Sequence, residues 1–247
     1  MKTFEGKAEE YTAGRPAYAE QLLEDLYSQY ELEAASVIAD IGSGTGKFAK
    51  QLLARGSEVY GVEPSEDMRL MAERELQEYN RFHSVRGNAA HTGLEENQVD
   101  HITSAQAFHW FDVAAFKKEC QRIIKPGGRI FLIWNIRDNA SMVNQKWSDV
   151  FSEFCPDFTG FSGGLQRDDR RIKEFFDGRY DRIEYAHPLF FTHETFLARS
   201  LSSSYSIGKE QADYETYIDR LQQLFSTYAE HNRLKIENNT VLYTGTL

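Results

Sequence analysis

The stretch Val37-Ile38-Ala39-Asp40-Ile41-Gly42-Ser43-Gly44-Thr45-Gly46 constrains the fold of this chain more than any other. Its apolar opening reads as a buried strand, and its glycines, alternating with Ser43 and Thr45, read as a sharp turn. Phe48-Ala49-Lys50-Gln51-Leu52-Leu53 then opens a helix. Glycines at such a turn let backbone N–H groups approach a ligand with no side chain in the way. The helix N-terminus behind them favours polar or negative groups. A strand, a glycine turn and a helix in this order belong to an open parallel sheet, whose ligands bind at the carboxyl ends of the strands.

The turn discriminates between cofactors. A dinucleotide fingerprint beginning at Gly42 needs glycine at position 47, which is Lys47. A phosphate-binding loop ending at Gly46-Lys47 needs Ser or Thr next and a glycine at 41, where the chain has Phe48 and Ile41. Asp40, at the end of the strand, would repel a pyrophosphate and suits a cofactor with a cationic amino acid end. Val59-Tyr60-Gly61-Val62 reads as a second buried strand ending in Glu63, placed to accept hydrogen bonds from two ribose hydroxyls.

With Gly87-Asn88-Ala89 and Ile124-Lys125-Pro126-Gly127-Gly128 added in order, residues 36–134 resemble the class I S-adenosylmethionine-dependent methyltransferases, of methyltransferase type 11 or 25. The resemblance implies an α/β, Rossmann-like fold: a seven-stranded, mostly parallel sheet with helices on both faces and the last strand antiparallel beside the fifth. It implies S-adenosylmethionine as cofactor, an N-terminal flap that folds over it, and a substrate-covering insertion after strand five. The expected organisation is one domain, 1–247: flap and helix at 1–30, cofactor-binding core at 31–134, insertion at 135–180, and the rest of the sheet at 181–247.

On this reading Asp40, Gly42, Ser43, Gly44, Gly46, Glu63, Pro64, Met68, Asn88, Ala89 and Gln106 bind the cofactor. Asn88 stands where the family more often has Asp, and its side-chain oxygen would meet the adenine amino group. Met68 lies beside Glu63 but also on a buried helical stripe with Met71, Ala72, Leu76 and Tyr79, so core packing competes with cofactor contact. Ser65 is placed to cap that helix. In the flap, Tyr11 and Arg15 are candidates to line the substrate pocket; the alternative is packing for Tyr11 and solvation for Arg15.

Val99–Ser104 reads as the fourth strand, and Phe108-His109-Trp110-Phe111-Asp112 follows it. A loop so aromatic suggests a pocket wall, with Phe108 and Trp110 in the substrate pocket and Asp112 capping the next helix. The pentapeptide and the Tyr-x3-Arg-Pro flap resemble a subgroup related to trans-aconitate methyltransferases, which act on small carboxylates. Methyl transfer from a sulfonium needs position and desolvation rather than a protein nucleophile. A hydroxyl acceptor needs a general base and a carboxylate does not. His109 is the candidate base, weighed against a histidine that only shapes the pocket. An acidic acceptor would be clamped by Arg15, Arg137, Arg167, Arg170 or Arg171. The run Arg167–Arg171 otherwise reads as a solvated face. Arg129–Trp134 reads as strand five, Ile183–Phe191 as strand six and Thr240–Thr244 as the last.

The 247 residues carry a formal charge of −10, which argues against a nucleic-acid partner. No apolar run spans a membrane and the first 20 residues lack a signal peptide's apolar core, so a cytoplasmic protein is expected, and the resemblance implies an enzyme acting on a small molecule. Two cysteines, Cys120 and Cys155, form no disulfide framework. The histidines at 83, 91, 101, 109, 187, 193 and 231 show no metal-ligand spacing, and no G-x-S-x-G elbow is present. The alternative function is a nucleotide-cofactor binding protein without methyl transfer, either a sensor or a nicotinamide-dependent oxidoreductase. Lys47 speaks against the latter.

Overall fold

The computed structural model describes residues 16–161, 169–203 and 205–247. The chain forms two compact units. The larger takes residues 17–135, 169–185 and 240–247; the smaller is drawn from 136–161 and 186–239.

In the larger unit, α1 (Glu20–Ser28) precedes β1 (Val37–Ile41), α2 (Lys47–Leu53), β2 (Glu58–Glu63), α3 (Glu66–Glu75) and β3 (Phe82–Arg86). Then come β4 (His101–Ala105), a 3-10 turn at Phe108–Trp110, α4 (Val113–Ile123) and β5 (Ile130–Arg137). After α5 (Met142–Phe154) the chain continues through α6 (Arg170–Phe175), β6 (Asp181–Ala186), β7 (Leu189–Phe191), α7 (His193–Leu201) and α8 (Tyr214–Tyr228). It ends with β8 (Leu234–Ile236) and β9 (Asn238–Gly245).

The sheet order is β3-β2-β1-β4-β5-β9-β6, with β1 to β5 parallel and the last strand antiparallel. The expected seven-stranded architecture is therefore present. Strands covered on both faces read as near-continuous apolar runs, and β5 is fully buried from Ile130 to Trp134. Leu22 and Leu26 of α1, Phe48 and Leu52 of α2, Ile38 of β1 and Ile133 of β5 share one core cluster. The strand order reverses between β1 and β4, and that crevice is where ligands bind in open sheets.

Several boundaries differ from expectation. The sixth strand is two strands in different sheets: β6 stays in the main sheet, while β7 pairs antiparallel with β8. Pro188 separates them; it has no N–H to give a ladder and restricts His187 before it. Strand four begins at His101, because Val99 makes only an isolated bridge to Ile124. Strand five runs on to Arg137. Asp112 caps α4 as expected, accepting from the Ala115 N–H at 2.8 Å. Ser65 makes no side-chain cap; its N–H instead donates to Glu63 Oε1 at 3.0 Å.

In the smaller unit, Trp147, Phe151, Phe196, Tyr217 and Phe225 lie in one cluster of α5, α7 and α8. The Arg137 guanidinium sits 4.3 Å from the Trp147 ring centroid and 4.0 Å from that of Phe161. No helix among the described residues is long and apolar enough to cross a membrane.

Candidate active site

The parallel register of β1 and β4 sets Asp40 opposite Thr103. Thr103 Oγ1 donates to Asp40 Oδ1 at 2.8 Å, while Asp40 Oδ2 is buried with no hydrogen-bond partner among the described residues. Burial pushes the Asp40 carboxyl up to about 7; the Thr103 bond opposes this and nearby Glu63 adds to it. A buried carboxylate oxygen with nothing to accept from is costly unless a cation or donor meets it. This fits a cofactor with an ammonium end.

The turn that follows is shaped by its glycines. Gly42, Gly44 and Gly46 all take positive φ, at 71°, 56° and 77°. A Cβ on Gly42 would lie 2.5 Å from Ala107 Cβ, so this position is closed by the loop after β4. A Cβ on Gly44 would meet nothing within 4 Å among the described residues, which leaves that backbone open to a ligand from their side. The Gly42 and Ser43 N–H groups donate to the Val62 carbonyl, and the Gly44 N–H to Glu63 Oε2 at 3.0 Å. Glu63 thus ties the turn to the end of β2. Its carboxyl is raised by burial, against the Ser65 and Gly44 N–H bonds and the Arg69 charge. Arg69, which the sequence reading passed over, donates to the carbonyls of Glu63 and Pro64 and fixes the bend into α3.

Pro64 is exposed, while Met68 is only 4% exposed in the α3 stripe, the packing position weighed for it. Ala89 is buried. The side-chain oxygen of Asn88 accepts from the Ala90 and His91 N–H groups at 2.9 and 3.0 Å. Both lone pairs expected to face an adenine amino group are therefore committed to the loop, and the amide NH2 is what Asn88 offers to a ligand. Gln106 takes a positive φ of 61°, and its Nε2 donates to the Asn135 carbonyl at 3.1 Å.

The loop bearing Asn88 is braced from below. Glu119 Oε1 accepts from the Thr92 N–H at 2.8 Å, from Thr92 Oγ1 at 2.6 Å and from Arg122 at 2.7 Å. Burial would raise this carboxyl, but the Arg122 and Thr92 bonds win and hold it at about 2. Its stabilisation is complete above the usual Glu range and is lost only as pH falls toward 2. We expect Glu119→Ala to cost about 2–3 kcal/mol, since it strands a buried N–H and hydroxyl. Urea denaturation at pH 7 measures this; an unchanged midpoint would show that the brace carries no stability.

Beyond β4, Phe108 is fully buried among Phe111, Phe116, Trp134 and Phe175, so it belongs to the core beneath the expected pocket wall. His109 is half-buried and Trp110 is 52% exposed. Of the candidate acid-clamping arginines, Arg171 forks onto Asp169, and Arg170 faces Glu174 at 4.0 Å on an open surface. Arg137 stacks on aromatic rings in the smaller unit. Tyr11, Arg15 and Arg167 lie outside the described residues. Among the described residues no group of three or more His, Cys, Asp or Glu side chains could hold a metal ion.

The family model described as "Methyltransferase domain" matches residues 39–132. An uncharacterised methyltransferase of Mycobacterium tuberculosis is 30% identical over 241 residues, covering 96% of this chain and 92% of the relative. An uncharacterised methyltransferase of Schizosaccharomyces pombe is 28% identical over 246 residues, covering 98% and 84%. Among solved structures, a protein of Anabaena variabilis assigned as a methyltransferase of an antibiotic biosynthesis pathway superposes with a TM-score of 0.66 at 20% identity, covering 95% and 99%. The last of these is a likeness of fold.

Proposed function

The chain belongs to the class I S-adenosylmethionine-dependent methyltransferases, and on that premise we propose that its methyl acceptor is a small molecule with a carboxylate or hydroxyl group. The observation that supports this most is the turn after β4, which holds an exposed indole, Trp110, beside the half-buried His109. An aromatic face excludes water from a small reacting group and attracts a neighbouring cationic sulfonium. The charge of −10 disfavours a nucleic-acid acceptor.

In this reading Asp40, the Gly42–Gly46 turn, Glu63, Asn88, Ala89 and Gln106 hold the cofactor. When bound, the cofactor supplies a sulfonium methyl group ready for in-line displacement. The protein's task is then to place the acceptor oxygen in line and keep it desolvated. A carboxylate acceptor arrives ionised and needs no base. A hydroxyl acceptor gives its proton to the His109 imidazole as general base.

The test is transfer of a labelled methyl group to panels of small carboxylic acids and phenols, with protein extract and RNA as controls. We expect label in a free small molecule, and a loss of about tenfold or more in kcat/KM on Trp110→Ala. Label only in macromolecules would overturn the reading.

A further inference from the structure

The sequence presents Arg167–Arg171 as a solvated charge run, yet its described end is built into the larger unit. Asp169 is 9% exposed and caps α6 by accepting from the Arg171 N–H at 2.9 Å. The same carboxylate takes a two-pronged bond from Arg171, Nε to Oδ1 at 3.0 Å and Nη2 to Oδ2 at 2.6 Å. The Arg171 bonds hold the Asp169 carboxyl below the usual carboxylate range, against the opposing effect of burial. A fork onto a buried carboxylate fixes the guanidinium plane, unlike a solvated pair. Nη1 then donates to the His109 carbonyl at 3.1 Å.

His109 lies in the Phe108–Trp110 turn. The backbone of that turn uses the carbonyls of Ala107 and Phe108, which accept from the Trp110 and Phe111 N–H groups. Arg171 supplies the donor for the next carbonyl. The same helix presses Phe175 against Phe108, ring centroids 5.3 Å apart, and stacks it on Phe116 at 5.1 Å. The turn is thus gripped at two points from α6. Its flanks, Ala107 and Phe111, close on Gly42: a Cβ there would lie 2.5 Å from Ala107 Cβ and 3.2 Å from Phe111 Cζ.

We propose that Arg171, anchored by Asp169, is a positioning residue of the cofactor site: it holds the turn after β4 against Gly42 and thereby fixes the shape of the glycine turn. The inference rests on the glycine turn being the cofactor's seat. It gives the charge run a role in binding, 62 residues from the carbonyl it holds.

The experiment uses the full chain with Arg171→Met and Arg171→Lys, and Asp169→Asn as the variant that keeps Arg171 but frees it. Hydrogen exchange of the cofactor-free proteins reads the turn, and S-adenosylhomocysteine titration reads the seat. We expect all three to speed exchange of the Trp110 and Phe111 amides about tenfold, with β1 and β5 amides unchanged. We expect the S-adenosylhomocysteine Kd to rise about tenfold. Lysine should not rescue, because it cannot fork onto Asp169 while reaching His109. Wild-type exchange in any folded variant overturns the proposal, and so does faster exchange with unchanged Kd. Failure of the wild type to bind S-adenosylhomocysteine would instead strike the cofactor assignment, and exchange would still judge the grip on the turn.

Discussion

Gly42→Ala should destabilise the protein by about 3 kcal/mol and abolish measurable binding of S-adenosylhomocysteine, whereas Gly44→Ala should lose binding with little loss of stability. Both glycines are left-handed, at φ 71° and 56°, so each alanine carries backbone strain of roughly 1 kcal/mol. The difference is in what the new methyl meets. At Gly42 it collides with Ala107 Cβ at 2.5 Å, a short side chain that moves only with its backbone, adding about 2 kcal/mol of overpacking. At Gly44 it meets none of the described residues within 4 Å. If the cofactor fills that space, the Gly44→Ala protein should bind at least a hundredfold more weakly, about 2.7 kcal/mol, while unfolding within about 1 kcal/mol of wild type. Chemical denaturation beside calorimetric titration separates the two effects. Wild-type affinity in Gly44→Ala would mean the ligand sits elsewhere.

Asp40→Asn should weaken S-adenosylhomocysteine binding about a hundredfold at pH 8 and remove its pH dependence. The wild-type carboxyl is pushed up to about 7 by burial. Binding an ammonium group requires the ionised form, so wild-type Kd should tighten about tenfold between pH 6 and pH 8, with proton release on binding below pH 7. The effect on stability has the opposite slope. The folded pKa lies above the unfolded one, so between about pH 4 and pH 7 the native state keeps a proton that the unfolded chain has lost. Relative to Asp40→Asn, wild-type stability should fall across that window by about 4 kcal/mol and be level above it. Parallel stability profiles of the two proteins would show that Asp40 titrates normally, and wild-type affinity in Asp40→Asn would show that it does not serve the ligand.

The parts of this site that could be read from the sequence are those made by neighbours along the chain. The glycine turn declares itself because positive φ selects glycine residue by residue, and Glu63 because a buried strand ends there. Those features sufficed for the family and the fold. What the sequence concealed is made across it. Thr103 reaches Asp40 from 63 residues away and Thr92 reaches Glu119 across 27, pairings of common residue types that no local pattern marks. Asn88 could be seen as a ligand-facing amide, but not that its oxygen turns back onto Ala90 and His91. Phe108 and Trp110 look alike in an aromatic run, and only the packing of α6 decides that one is core and the other surface. The division at Pro188 was visible as a proline, while its consequence, a second sheet, depended on β8.

The position of β9 in the sheet bears on how the protein is made. Strands β1 to β5, with the whole glycine turn, leave the ribosome about a hundred residues before β9, which pairs beside β5 in the finished sheet. At ordinary rates of synthesis that is an interval of about 5–20 s. During it the cofactor half has its strands in hand while β5, apolar from Ile130 to Trp134, has a bare edge of the kind that recruits other chains. The nascent protein's vulnerable period thus falls after the glycine turn has been made and before its sheet is closed.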